Sequence, residues 1–219
     1  MVDFLGLVEL DSVNSLMRRW ATNPAFPRIR SGLLQPEQYR HSLVLLVAVS
    51  NLSNLGNGVG LYGEGPEGES VPDFWIQVGA QSRLDVEVKA PEELDGSQGP
   101  LSSSRAHSAL EKGRKKALKG RHRQLKGGTP CILLLGGASL DASSMSTLEK
   151  VVTEKLAGLG QRYTHLAAVM LLSFNLLTEG PVVNRGDSVR PGQPVAGGAQ
   201  IRYVVNPSYA GTIEIRIGS

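Results

Sequence analysis

The run Leu84-Asp85-Val86-Glu87-Val88-Lys89 alternates apolar and charged residues without a break. Successive strand side chains point to opposite faces, so this run reads as a strand. Leu84, Val86 and Val88 face a core, and Asp85, Glu87 and Lys89 line the other face. Asp and Glu are depleted in strands, yet two sit in this short one. Two carboxylates and an ammonium in a row suit a hard divalent cation held beside a water to be deprotonated. The plain alternative is the solvated face of an antiparallel sheet.

A second piece, Val71-Pro72-Asp73-Phe74, lies just upstream. Phe74 to Val78 is rich in aromatic and β-branched residues, and Gly79-Ala80-Gln81-Ser82 is a turn with Gly at the break. The predicted antiparallel hairpin carries Asp73 at the start of one strand and Glu87 toward the end of the other, so the two carboxylates meet. An Asp/Glu pair sharing one ion, with an adjacent Lys to offset developing negative charge, matches the needs of phosphodiester hydrolysis.

Pro72-Asp73, a spacer, then Glu87-Val88-Lys89 followed by Ala90-Pro91 resemble the PD-(D/E)XK nuclease superfamily. The resemblance covers roughly residues 35 to 175, with its motifs confined to 72 to 91. It implies a restriction-endonuclease-like fold and a deoxyribonuclease dependent on Mg2+ (or Mn2+). It assigns Asp73, Glu87 and Lys89 as catalytic, with Asp73, Glu87 and the Val88 carbonyl as metal ligands. It also implies a Gln or Lys on the helix after the motif strand, for which Gln124 or the lysines of 112 to 116 are candidates. Many members carry a Glu on the helix before the hairpin. Here that helix offers only Glu37 near its start, with His41 one turn on, so Glu37 and Asp85 are the candidates for a third acidic ligand.

The surrounding chain is predicted as follows. Residues 1 to 20 form an amphipathic helix, and Asn23-Pro24 and Phe26-Pro27 break the chain. Pro36 opens a helix to about Leu55, apolar on nearly all sides over Leu43–Val49 and therefore buried. Residues 63 to 70 and 95 to 104 form loops, with a helix from about Ser104 to Leu125. Ile132–Leu135 is a buried strand ended by Gly136-Gly137. A helix over Leu140–Leu156 is capped by Asp141 or Ser143/Ser144. Thr164–Phe174 is a buried strand, Pro181–Gln200 a long loop, and Ile201–Val205 and Thr212–Ile217 are strands. This order predicts an α/β fold: a mixed central sheet with an antiparallel hairpin, flanked by helices. Residues 1–30 are expected as an N-terminal helical extension and 31–219 as a single nuclease-like domain.

The basic residues are unevenly spread. Arg105, Lys112, Arg114, Lys115, Lys116, Lys119, Arg121 and Arg123 crowd one predicted helix, with only Glu111 opposing them. A run this one-sided points to a polyanion, because each Lys or Arg that meets a phosphate releases condensed counterions. With Gln124 these residues form the expected nucleic-acid surface. The alternative is a solvated helix face, and no aromatic face suggests a lipid surface.

At 219 residues and 41% hydrophobic, the chain is long and apolar enough for a sizeable core. The single cysteine excludes an internal disulfide framework. With no apolar run long enough to span a bilayer and no signal peptide read at the N-terminus, no membrane partner and a cytoplasmic setting are expected. No zinc spacing, phosphate-cradling loop or nucleophile elbow is present. The sequence therefore predicts a metal-dependent nuclease hydrolysing phosphodiester bonds, most directly in DNA. A second reading is a catalytically inactive nuclease-fold protein that binds nucleic acid or a partner protein. A homodimer or larger complex is compatible with either.

Overall fold

Helix α3 (Pro36–Asn54) organises one side of the molecule. Its residues Ser42 to Ser50 are all buried, because a sheet covers one flank and two further helices cover the other. These are α1 (Phe4–Trp20) and α2 (Phe26–Leu33). Pro27 was expected as a breaker, but it occupies the first turn of α2, where its missing N–H leaves no bond unmade. Val13, Leu16 and Trp20 of α1 and Phe26 and Ile29 of α2 belong to the same core as α3. Trp20 Nε1 donates to Ser50 Oγ at 2.9 Å. Side chains between Val13 and Ile29 thus pack into the same core as α3.

The computed structural model describes residues 4–65, 70–79, 82–118, 125, 129–175 and 199–217. They form an α/β fold with a six-stranded mixed sheet in the order β1-β2-β3-β4-β5-β6. The strands are β1 (Val59–Leu61), β2 (Phe74–Val78), β3 (Ser82–Lys89), β4 (Cys131–Ala138), β5 (Leu166–Phe174) and β6 (Gln200–Val205). The first three form an antiparallel meander; β4 and β5 run parallel to β3, and β6 returns antiparallel. The crossovers contain α4 (Ser103–Leu118) and α5 (Ala142–Ala157), which cover the sheet face opposite α3. Asp141 caps α5, accepting from Ser144 N at 2.7 Å, as the sequence predicts. No helix among the described residues is long and apolar enough to cross a membrane.

Three expectations are corrected. Strand β4 runs through Gly136 and Gly137 instead of stopping there. The glycines are required by close approach: a Cβ on Gly136 would stand 2.3 Å from Val44 Cγ1, and one on Gly137 1.8 Å from the Leu94 carbonyl. Residues 212–217 are not a strand. The Asn57 side chain takes both the N–H and the carbonyl of Arg216, so the backbone of that residue is satisfied without a neighbouring strand. Strand β1 was not foreseen, since three residues are too short to show a period. The predicted loops at 63–70 and 181–200, the turn at 79–82 and the end of the helix expected to reach Leu125 fall wholly or partly outside the described residues.

Candidate active site

The hairpin forms in the expected register, with Phe74 opposite Val86 and Trp75 opposite Asp85. Val86 and Val88 enter the α3 core, while Glu87 and Lys89 face the α4 side. Helix α4 comes close at Gly113, where a Cβ would lie 3.6 Å from Lys89 Cβ. Lys89 keeps only 14% of its side chain exposed and pairs with Glu87 Oε1.

Asp73 stands where β2 and β3 part. Its backbone N–H donates to the Val86 carbonyl at 3.0 Å, the last rung between them on this side. One step further, the Asp73 carboxylate replaces the missing backbone acceptor: Oδ2 takes the Val88 N–H at 2.8 Å. The N–H and carbonyl of a strand residue point to the same side, so the Val88 carbonyl also opens toward this gap, away from β4. Asp73 Oδ1 accepts from Arg28 Nη2 at 3.1 Å and lies 3.3 Å from His41 Nε2. Arg28 comes from α2 and His41 from α3, so the packing of those two helices builds the rear of the site.

Asp73 and Glu87 are 1% and 0% exposed, and close enough for each charge to act on the other. Burial raises both carboxyls, but the outcomes differ. For Asp73, the His41 bond, the Val88 N–H and the Arg28 charge outweigh burial and hold the group below the usual carboxylate range. For Glu87, burial and then the Asp73 charge prevail over Lys89 and Arg28, pushing it up to about 8. The two carboxyls are thus driven apart, Asp73 toward its charged form and Glu87 toward its protonated form. Glu87 Oε2 is buried with no hydrogen-bond partner, and so is Arg28 Nη1. The unpartnered Glu87 oxygen beside a second carboxylate is a free acceptor that a divalent cation would satisfy.

The other predicted ligands are not brought to this pair. Asp85 accepts from the Tyr62 hydroxyl at 2.7 Å, and Glu37 is exposed on the first turn of α3. No group of three or more His, Cys, Asp or Glu placed to hold one ion occurs among the described residues. Arg28 and His41 were given no role from sequence. Proline punctuation masked Arg28, whereas His41 lies one turn after Glu37 on the helix already expected to supply a ligand.

The basic helix divides. Arg105 donates to the carbonyls of Glu93 and Asp95 at 2.8 and 3.2 Å and lies within 3.4 Å of those of Gly99 and Pro100, pinning the loop before α4. Arg114 is 7% exposed, pairs with Glu111 at 2.6 Å and stacks 5.8 Å from the Tyr163 ring centroid. Both were expected on the nucleic-acid surface; both instead serve the chain's own packing. Lys112, Lys115 and Lys116 are exposed, with Lys112 paired to Glu93. Lys119, Arg121, Arg123 and Gln124 lie outside the described residues. Compared with models of known protein families, with curated proteins and with solved structures, the chain finds no match.

Proposed function

We propose that this chain is a metal-dependent nuclease that hydrolyses phosphodiester bonds in DNA. The observation that carries the reading is the buried Asp73–Glu87 pair, in which Glu87 Oε2 has no partner. Asp73, Glu87 and the Val88 carbonyl are the groups that would hold Mg2+ or Mn2+. Such an ion, when bound, supplies Lewis-acid polarisation of a phosphoryl oxygen and a water of lowered pKa. The chain's own groups do the positioning. The Val88 N–H fixes Asp73, Arg28 and His41 brace its other oxygen, and the Lys89 ammonium stands at Glu87 to offset charge developing on the scissile phosphate. The exposed Lys112, Lys115 and Lys116 offer sequence-independent phosphate contacts.

A second reading, binding of nucleic acid or a partner protein without cleavage, is favoured by one observation. Asp73 Oδ1 already has two neighbours, Arg28 and His41, and among the described residues no third acidic ligand joins the pair. Incubation with supercoiled, linear and branched DNA, with and without Mg2+ or Mn2+, separates the two. The nuclease reading expects metal-dependent cleavage that Lys89→Ala abolishes while the fold persists. Cleavage unaltered in that variant, or DNA binding with no cleavage under any metal, overturns it.

A further inference from the structure

Among the described residues, α4 packs on β4 and α5 on β5 and β6, and the same sheet face is partly exposed at the β1–β3 end. Three side chains gather there. The Arg83 guanidinium lies 5.7 Å from the Tyr62 ring centroid and 5.9 Å from that of Trp75. Arg83 is exposed, and both rings are half-exposed. Each ring is fixed from beneath or beside. Trp75 lies over Gly60, where a Cβ would stand 2.3 Å from the ring, and the Tyr62 hydroxyl donates to Asp85 Oδ1 at 2.7 Å. These are rigid aromatic surfaces that lose little freedom when a flat partner stacks on them.

The row continues into the candidate active site. Arg83, Asp85, Glu87 and Lys89 alternate along one face of β3, and Trp75 is the cross-strand partner of Asp85. Two residues along a strand span about 6.6 Å, so Trp75 lies within about one nucleotide's reach of Glu87. Aromatic rings with an interleaved guanidinium bind unpaired bases, because every base has a π-face and a neighbouring phosphate meets the cation. Duplex bases, stacked on one another, offer no such face to a flat platform.

We propose that Tyr62, Trp75 and Arg83 form a base-stacking platform that receives an unpaired strand and delivers its backbone to Asp73 and Glu87. The substrate class is then single-stranded DNA, or the unpaired end or flap of a duplex. The proposal deepens the nuclease reading and rests on it only for the delivery step; stacking itself needs no cleavage.

The test is binding of a short oligothymidylate, and of a blunt duplex of the same length, without added metal. Wild type is compared with Trp75→Leu, Trp75→Phe, Tyr62→Leu and Lys115→Ala/Lys116→Ala, each checked for folding by circular dichroism. Trp20 is buried and Trp75 half-exposed, so quenching of tryptophan fluorescence reports contact at Trp75. Expected results are tighter binding of the single strand than of the duplex, quenching on binding, and about tenfold weaker single-strand binding in Trp75→Leu or Tyr62→Leu. Trp75→Phe should retain most of the affinity. Equal binding of single strand and duplex, or full affinity in folded Trp75→Leu and Tyr62→Leu, overturns the platform. Platform-dependent binding with no cleavage under any metal would instead sink the nuclease reading and leave the platform standing.

Discussion

The carboxylate pair at the β2–β3 junction and the basic helix α4 both carry dense charge in sequence, yet the fold treats them oppositely. At the junction, Asp73 and Glu87 are buried beside each other, and one carboxylate oxygen has no partner. On α4, Arg105 and Arg114 are engaged by the protein's own carbonyls, carboxylate and ring. The difference lies in the neighbours: at the junction two carboxylates are buried side by side, whereas the α4 arginines face carbonyls, a carboxylate and a ring, with only Nε of each left without a partner. Charge density in sequence does not distinguish these cases, and the sign and burial of the neighbouring groups do.

The sharpest way to break this contrast is Asp73→Ala. The substitution strips acceptors from the Val88 N–H and from Arg28, a cation whose Nη1 is already unpartnered. Loss of about 3–5 kcal/mol is expected in denaturant unfolding, together with loss of cation binding.

Next in size is the pH response of Glu87. Its folded value of about 8 lies above the 4.5 of an ordinary glutamate, so the folded chain keeps a proton that the unfolded chain releases. Stability is therefore undiminished below about pH 4.5 and falls as pH rises through the window to about 8, by a total on the order of a few kcal/mol. Glu87→Gln should flatten that part of the stability–pH curve. A variant whose curve parallels wild type between those limits would contradict the burial of an unrelieved charge.

For α4 the contrast predicts smaller, divided effects. Arg114→Ala should cost about 1 kcal/mol in thermal or denaturant unfolding, because the buried Tyr163 ring loses the guanidinium packed on it while the half-exposed Glu111 keeps Lys155. DNA affinity should be unchanged. Lys115→Ala/Lys116→Ala should do the reverse. Folding should shift by less than about 0.5 kcal/mol. The slope of log affinity against log salt should become shallower by about 0.9 for each lost contact to duplex DNA. An Arg114 variant that binds DNA less well, with its fold intact, would erase the distinction.

Much of the fold was legible. The period-two run at Leu84–Lys89 and the all-apolar stretch at Leu43–Val49 take the predicted strand and buried helix, and of the caps offered, Asp141 or Ser143/Ser144, the structure adopts Asp141. What was not legible depends on contacts distant in sequence. Gly136 and Gly137 read as a stop, but they are the thin places where Val44 and Leu94 approach. Thr212–Ile217 has strand composition, yet Asn57 supplies the bonds a strand would have made. In the candidate site, Asp73, Glu87 and Lys89 were singled out by the hairpin and the alternating strand, and their roles by the family resemblance. Arg28 and His41 reach Asp73 across 45 and 32 residues, a closure no local spacing announces. The platform of Tyr62, Trp75 and Arg83 likewise draws on three separate strands or their flanks.

The claim that the buried pair holds a divalent cation is tested most directly by calorimetric titration of the intact chain with Mn2+ at pH 7, in buffers of different ionisation enthalpy. Glu87, pushed up to about 8, is mostly protonated at that pH, so binding must displace its proton. The account predicts saturable binding, release of close to one proton per ion at pH 7, a release that fades above about pH 9, and loss of the response in Glu87→Gln. No saturable heat, or the same heat and proton release in Glu87→Gln as in wild type, would contradict it.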